Sequence, residues 1–154
     1  MQDIYIVGIG MTPFGKFRDK TIKDMTGEAV AAALSDARVT ADRIDGAFFS
    51  NAVQGHMEGQ HMIRGEIALR EMGIQGIPVV NVENACASAS TGFKLAVDFL
   101  KAGNGDCCLA VGAEKMYSDD RALMFSAFDS GWDVSNSEEV AQRLADLGAG
   151  VEEP

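Results

Sequence analysis

Short apolar runs that alternate with helical repeats constrain this chain more than any other feature. "IYIVGIG" (4–10), "IDGAFFSNAV" (44–53), "IPVVNVEN" (77–84) and "CCLAVGAEKM" (107–116) are rich in β-branched or aromatic residues, or are apolar nearly throughout. Each reads as a strand. Between them lie three helical patterns. In "TIKDMTGEAVAAALSDARV" (21–39), Met25, Ala29, Ala32, Ala33 and Asp36 follow a helical repeat. Its small-residue face predicts close approach to a sheet. In "HMIRGEIALREMGI" (61–74), Ile63, Ile67 and Ile74 recur, and Gly73 marks the end. In "CASASTGFKLAVDFLKAG" (86–103), Phe93, Ala96, Val97 and Leu100 fall at i, i+3, i+4 and i+7, and Gly103 closes the pattern. Strand–helix alternation predicts an α/β fold. Its sheet is mostly parallel, is joined by right-handed crossovers and is covered by helices. Unbroken apolar runs suit strands buried on both faces.

The connections read as loops: "TPFGKFRDKT" through Pro13 and Gly15, and "GHMEGQ" through its glycines. Beyond Met116 the alternation fades. Met124, Phe125, Phe128 and Trp132 mix with acids, and "SNSEEVAQRLADLG" reads as a helix capped by Ser135 with Glu138. Val140, Leu144 and Leu147 form its stripe. This divides the chain into a domain over 1–118 and a second region over 119–154. The acidic end "VEEP" reads as a break within a surface excursion.

At 154 residues and 47% hydrophobic, the chain can fill one core. No stretch has the unbroken apolar length of a membrane span, and the N-terminus lacks the basic region of a signal peptide. The net charge of -10 disfavours nucleic acid and anionic membranes as partners. Cys86, Cys107 and Cys108 are odd in number and lack framework spacing. That suits a reducing compartment such as the cytoplasm. Cys107 and Cys108 read as small hydrophobes of a buried strand.

Cys86 is different, because it falls where a strand turns into a helix. The first amides of a helix have no partner within it, and the helix dipole adds partial positive charge there. A thiolate at that place is stabilised. A sharp strand-to-helix turn presents the side chain outward, as in nucleophile elbows. Ala85, Ala87 and Ala89 leave room for a substrate. The same amides offer hydrogen bonds to a developing oxyanion, and a thioester is the natural acyl adduct of such a thiol. Position and spacing alone equally allow Cys86 to be a small buried residue at a helix start.

"NVENACASASTGFKLAVDFLKAG" followed by "CCLAVGAEKMY" resembles the nucleophile region of the thiolase superfamily, in the branch typified by the thiolase domain of sterol carrier proteins. "IYIVGIGMTPFGKF" and "GQHMIRGEIALREMGI" are similar to that family's opening strand and second helix, so the resemblance runs from about Ile4 to Trp132. It implies one half of the layered α-β-α-β-α thiolase fold. It also implies an acyltransferase acting on acyl-CoA, with Cys86 catalytic. In one direction a 3-oxoacyl-CoA is cleaved and its acyl half stays on Cys86 until coenzyme A removes it. In the other, an acetyl group on Cys86 meets a carbanion from a second acyl-CoA. Coenzyme A is then a substrate, and no covalently bound cofactor and no metal is implied. The family's second half supplies a histidine, a histidine or asparagine for the oxyanion, and a cysteine in a Cys-x-Gly setting. None of these can be placed here, so the isolated chain is expected to be inactive and to need a C-terminal half or partner subunit. A homo- or hetero-oligomer is implied as well. The alternatives are a non-catalytic thiolase-like subunit, or a thiolase-fold aldolase or condensing enzyme.

Other patterns carry less. His56-Met57-Glu58 has the His-x-Glu form of zinc deaminases, but no Pro-Cys-x-x-Cys follows. Gly8-x-Gly10 follows a strand as in dinucleotide folds, but its third glycine is misplaced. Met57, Met62, Met116 and Met124 suit core filling better than an acyl tunnel. Lys115 and Arg121 suit a solvated surface better than a coenzyme A phosphate.

Overall fold

The computed structural model describes residues 3–150; the "VEEP" end lies outside the described residues. Residues up to Tyr117 form one compact unit and those from Ser118 a second.

The first unit is built on three parallel strands, β1 (Gly46–Ser50), β2 (Val79–Val82) and β3 (Cys108–Gly112), in the order β2-β1-β3. Ala47 pairs with Val79 on one side and with Leu109 on the other. The central strand is buried at every position. Strand side chains alternate between faces. Ala47 and Phe49 face one way, packing with Val30, Leu69, Ile22 and Met25 from α1 (Ile22–Ala37) and α3 (Arg64–Arg70). Phe48 and Ser50 face the other way, toward α4 (Ser88–Lys101), where Phe48 meets Phe99 edge to face at 5.8 Å. The result is the predicted α/β arrangement, a mostly parallel sheet with a helical layer on each face.

α1 begins with a reciprocal cap. The Thr21 hydroxyl accepts from the Asp24 amide, and the Asp24 carboxylate accepts from the Thr21 amide at 2.7 Å. Its buried face is Ile22, Met25, Thr26 and Val30. The alanine face does not meet the sheet. Instead it receives the chain at Gly8 and Gly10. A Cβ on Gly10 would lie 2.1 Å from the Ala29 carbonyl oxygen, and one on Gly8 2.4 Å from that of Ala33. Glycine at both positions permits this backbone-on-helix approach.

Residues 4–10, expected as a strand, form no regular element and join no ladder among the described residues. Their β-branched composition favours an extended chain, and a strand also needs a neighbour. The "GHMEGQ" loop begins inside a helical turn, α2 (Gln54–Glu58), closed by Gly59 at φ 76°. Asn51 caps it by accepting from the Gln54 amide at 3.0 Å. The helix expected from residue 61 starts later, because Ile63 is left-handed at φ 47°.

The second unit holds α5 (Arg121–Ser126) and α6 (Ser137–Gly148). Ser135 does not cap α6. Its hydroxyl and amide bind Asp133, and the N-cap is Asn136, which makes no side-chain cap bond to the backbone. The Leu144 and Leu147 stripe is exposed. No helix among the described residues is long and apolar enough to cross a membrane.

Candidate functional site

In parallel α/β sheets, ligands gather beyond the carboxyl ends of the strands. β2 ends at Val82, and the chain then turns through Glu83, Asn84 and a 3-10 turn, Ala85–Ala87, into α4. Cys86 sits at the centre of that turn and is exposed. Ala85, just before it, holds φ at 45°, which costs a residue bearing a Cβ about 1–3 kcal/mol.

Local hydrogen bonds hold the turn. The Ala85 amide donates to Glu83 Oε1 at 2.6 Å, and the Asn84 amide donates to Ser88 Oγ at 2.8 Å. Ser88 in turn donates to the Ala85 carbonyl at 2.7 Å. The Asn84 side chain donates to Thr91 Oγ1 at 3.0 Å. Ser50, at the end of β1, donates to the Ser88 carbonyl at 3.0 Å and anchors the helix start to the sheet. Gly92, one turn on, lets the helix lie against Ser50; a Cβ there would be 2.4 Å from Ser50 Oγ.

Two of the amides at the helix mouth are not open. The Ala87 amide donates to the Asn84 carbonyl at 2.9 Å, and the Ser88 amide donates to the Ala85 carbonyl. The 3-10 turn engages both groups, so neither is an open donor for an oxyanion.

A second polar cluster ties the neighbouring strand ends together. Asn51 is buried and donates to the Ala113 carbonyl at 2.6 Å and to Glu114 Oε1 at 2.9 Å. The Glu114 carboxylate also accepts from the amides of Ala52 at 2.8 Å and Val53 at 3.2 Å. Arg64 donates to Asn51 Oδ1 at 2.8 Å. Sequence reading singled out none of Ser50, Asn51, Ser88 or Glu114. The available signal was polar residues closing apolar runs, as in "FFSN" and "VGAE".

Cys107 and Cys108 are half-buried rather than buried. Burial pushes the Cys108 thiol up to about 11, helped by Cys107 and Asp45, and raises that of Cys107. Cys108 also points its sulfur at the Ala96 carbonyl, 3.4 Å away. His56 and His61 are exposed. Lys115 donates to the Lys20 carbonyl at 2.6 Å, binding the loop before α1. Met62 is 75% exposed, and Met57, Met116 and Met124 are half-buried, so none of the four belongs to the core. No group of three His, Cys, Asp or Glu among the described residues could hold a metal ion.

Residues 4–146 match the family model for the thiolase N-terminal domain. The chain belongs to the thiolase family. It is 38% identical over 133 residues to the non-specific lipid-transfer protein-like 2 of Caenorhabditis elegans, covering 78% of this chain and 31% of that one. It is 33% identical over 136 residues to the acetyl-CoA acetyltransferase of Methanocaldococcus jannaschii, covering 87% of this chain and 34% of the relative. The fold is similar to that of the Acat5 thiolase of Ascaris suum, solved in complex with coenzyme A, with a TM-score of 0.65 at 18% identity over 77% of this chain and 33% of that one. The chain thus spans about a third of the length of these relatives.

Proposed function

We propose that Cys86 is an acyl-carrying nucleophile and that the chain is the nucleophile half of an acyl-CoA acyltransferase. The observation that carries this reading is the exposed thiol on a turn held by Ser88 and Ser50, at the carboxyl ends of the strands. With acetyl-CoA, the Cys86 sulfur attacks the thioester carbonyl and the bond from that carbon to the coenzyme A sulfur breaks. Coenzyme A leaves as its thiol, taking the proton that Cys86 gives up. In the reverse step, free coenzyme A attacks the Cys86 thioester and restores the thiol. With a 3-oxoacyl-CoA the sulfur attacks the 3-oxo carbon instead, the C2–C3 bond breaks, and the C2 carbanion takes the proton that Cys86 gives up and leaves as acetyl-CoA; the acetyl-CoA acetyltransferase relatives support this chemistry.

Turnover needs more than this chain supplies. The Ala87 and Ser88 amides beside the thiol are engaged by the 3-10 turn, so an oxyanion needs donors other than these two. An acid/base residue must also be brought in, and a C-terminal thiolase half is the proposed source. The test is a thiolysis assay with a 3-oxoacyl-CoA. The 154-residue chain alone is expected to show no turnover, and activity is expected when the C-terminal part of a thiolase is joined to it. Robust turnover by the isolated chain refutes the need for a second half.

A second reading draws on the relatives named as lipid-transfer protein-like and sterol carrier proteins. In it the fold supports lipid handling and Cys86 has no chemical role. The two separate on Cys86→Ala, which abolishes acyl transfer and leaves lipid handling intact.

A further inference from the structure

The residue in front of the thiol is the strained one. Ala85 holds φ at 45°, and a residue with a Cβ does not favour that left-handed backbone by itself. Peptide units are planar, so φ and ψ of Ala85 set the angle between the unit before it and the unit after it. The conformation lasts while both units are tied.

The unit after Ala85 is tied by Ser88. The Ala85 carbonyl accepts from Ser88 Oγ at 2.7 Å and from the Ser88 amide. Ser88 is 6% exposed and its own carbonyl accepts from Ser50, so this tie leads back to the sheet. The unit before Ala85 is tied at both ends. The Asn84 carbonyl accepts from the Ala87 amide at 2.9 Å. The Ala85 amide donates to Glu83 Oε1 at 2.6 Å, and this is the one tie of the four made by a charged group.

Glu83 directly follows Val82, the buried last residue of β2, whose carbonyl accepts from the Asn51 amide at 3.1 Å. Its backbone therefore starts from the sheet, while its exposed side chain folds back over the turn. Two other roles are open to an exposed glutamate near a candidate nucleophile. A solvated surface acid needs no particular rotamer, because water meets the carboxylate in all of them. A general base would aim its carboxylate at the thiol, whereas the contact made is with a backbone amide. Neither role accounts for a charge-assisted bond on the strained residue itself.

We propose that Glu83 is a positioning residue for the thiol: its carboxylate holds the Ala85 amide, and with it the left-handed turn that presents Cys86 to an acyl donor. The inference rests on the nucleophile reading of Cys86 and adds to it the side chain that aims the sulfur. The role calls for reach and an acceptor oxygen. Glutamine keeps both. Aspartate keeps the charge but is one methylene shorter.

The test is single-turnover acetylation of Cys86 in the 154-residue chain, followed by mass spectrometry over a range of acetyl-CoA concentrations. Glu83→Ala is expected to lower the maximal rate about tenfold, equivalent to about 1.4 kcal/mol, the order of one hydrogen bond to a charged group. The half-saturating concentration is expected to stay unchanged, since Glu83 acts through the turn and not on the substrate. Glu83→Gln is expected to remain within about threefold of wild type, and Glu83→Asp to behave as Glu83→Ala. Ala85→Gly supplies a second background. Glycine takes positive φ freely, so there Glu83→Ala is expected to cost less than about twofold. Amide exchange by NMR reports the turn separately: Ala85 is expected to exchange faster in Glu83→Ala while Ala47 and Phe49 of β1 stay protected. Equal acetylation of wild type and Glu83→Ala overturns this proposal and leaves the nucleophile reading standing. So does a change in the half-saturating concentration alone, or full activity in Glu83→Asp with loss in Glu83→Gln. A wild-type chain that takes up no acetyl group overturns both.

Discussion

Replacing Gly92 by alanine sets two effects of similar size against each other. Gly92 lies in α4, where helix propensity alone favours alanine by about 1 kcal/mol. Packing opposes it. The new Cβ falls 2.4 Å from Ser50 Oγ, with Phe48 Cβ and Val82 Cγ2 both at 3.8 Å. Ser50 is 4% exposed, and its hydroxyl is committed to the Ser88 carbonyl. If the hydroxyl swings away, a buried polar group loses its partner at about 1–3 kcal/mol. If it stays, α4 shifts outward, an overpacking cost also of about 1–3 kcal/mol. The propensity gain offsets part of either cost, leaving Gly92→Ala less stable by up to about 2 kcal/mol. Urea unfolding with an unchanged m-value measures this. In a Ser50→Ala background the clash partner is gone, and the same substitution is expected to be neutral or stabilising by up to about 1 kcal/mol. Stabilisation by Gly92→Ala in the wild-type background would refute the packing account of the helix start.

Four further outcomes follow from named contacts. Because the Cys108 thiol is raised to about 11 and that of Cys107 is also raised, iodoacetamide at pH 8 is expected to label Cys86 first, read by peptide mass mapping. The raised thiol means the folded state holds its proton longer than the unfolded state. Stability is therefore full below about pH 9 and falls as the pH rises toward 11, and Cys108→Ala is expected to flatten that fall in urea midpoints. Asp45 accepts from the amides of Cys107 and Asp106, which hold its carboxyl below the usual range. Its stabilisation is present above the ordinary carboxylate range and is lost as the pH falls through its lowered value. Asp45→Asn is thus expected to lower the urea midpoint at pH 7, with the difference vanishing in strong acid. Gly10→Ala places a Cβ against the Ala29 carbonyl and is expected to lift residues 4–10 from α1, exposing the Ile9 amide that now donates to Asp36. Faster exchange at Ile9 reports it, and unchanged exchange contradicts the close approach.

Which features were legible follows the range of the interactions that fix them. α1, β1 and β2 were readable because their apolar patterns are local. The position of Cys86 was readable for the same reason, since the end of β2 and the start of α4 are adjacent in sequence. Residues 4–10 carry the composition of a strand, but ladder formation depends on a neighbour that composition does not reveal. The glycines of "GHMEGQ" suggested a loop, yet Asn51 caps Gln54 and a helical turn forms. Ser135 met the pattern of a cap, and Asp133 captured it first. The supports of the elbow were not readable. Ser50 reaches Ser88 across 38 residues, and Asn51 reaches Glu114 across 63. Nothing local marks either pair.

The central claim is that one exposed sulfur, on a turn held from β1, accepts an acyl group. Incubating the chain with acetyl-CoA and mapping the product by mass spectrometry tests it directly. The account predicts one hydroxylamine-sensitive acetyl group, located on Cys86, removed by free coenzyme A and absent from Cys86→Ala. An acetyl group found first on Cys107 or Cys108, or persisting in Cys86→Ala, contradicts it.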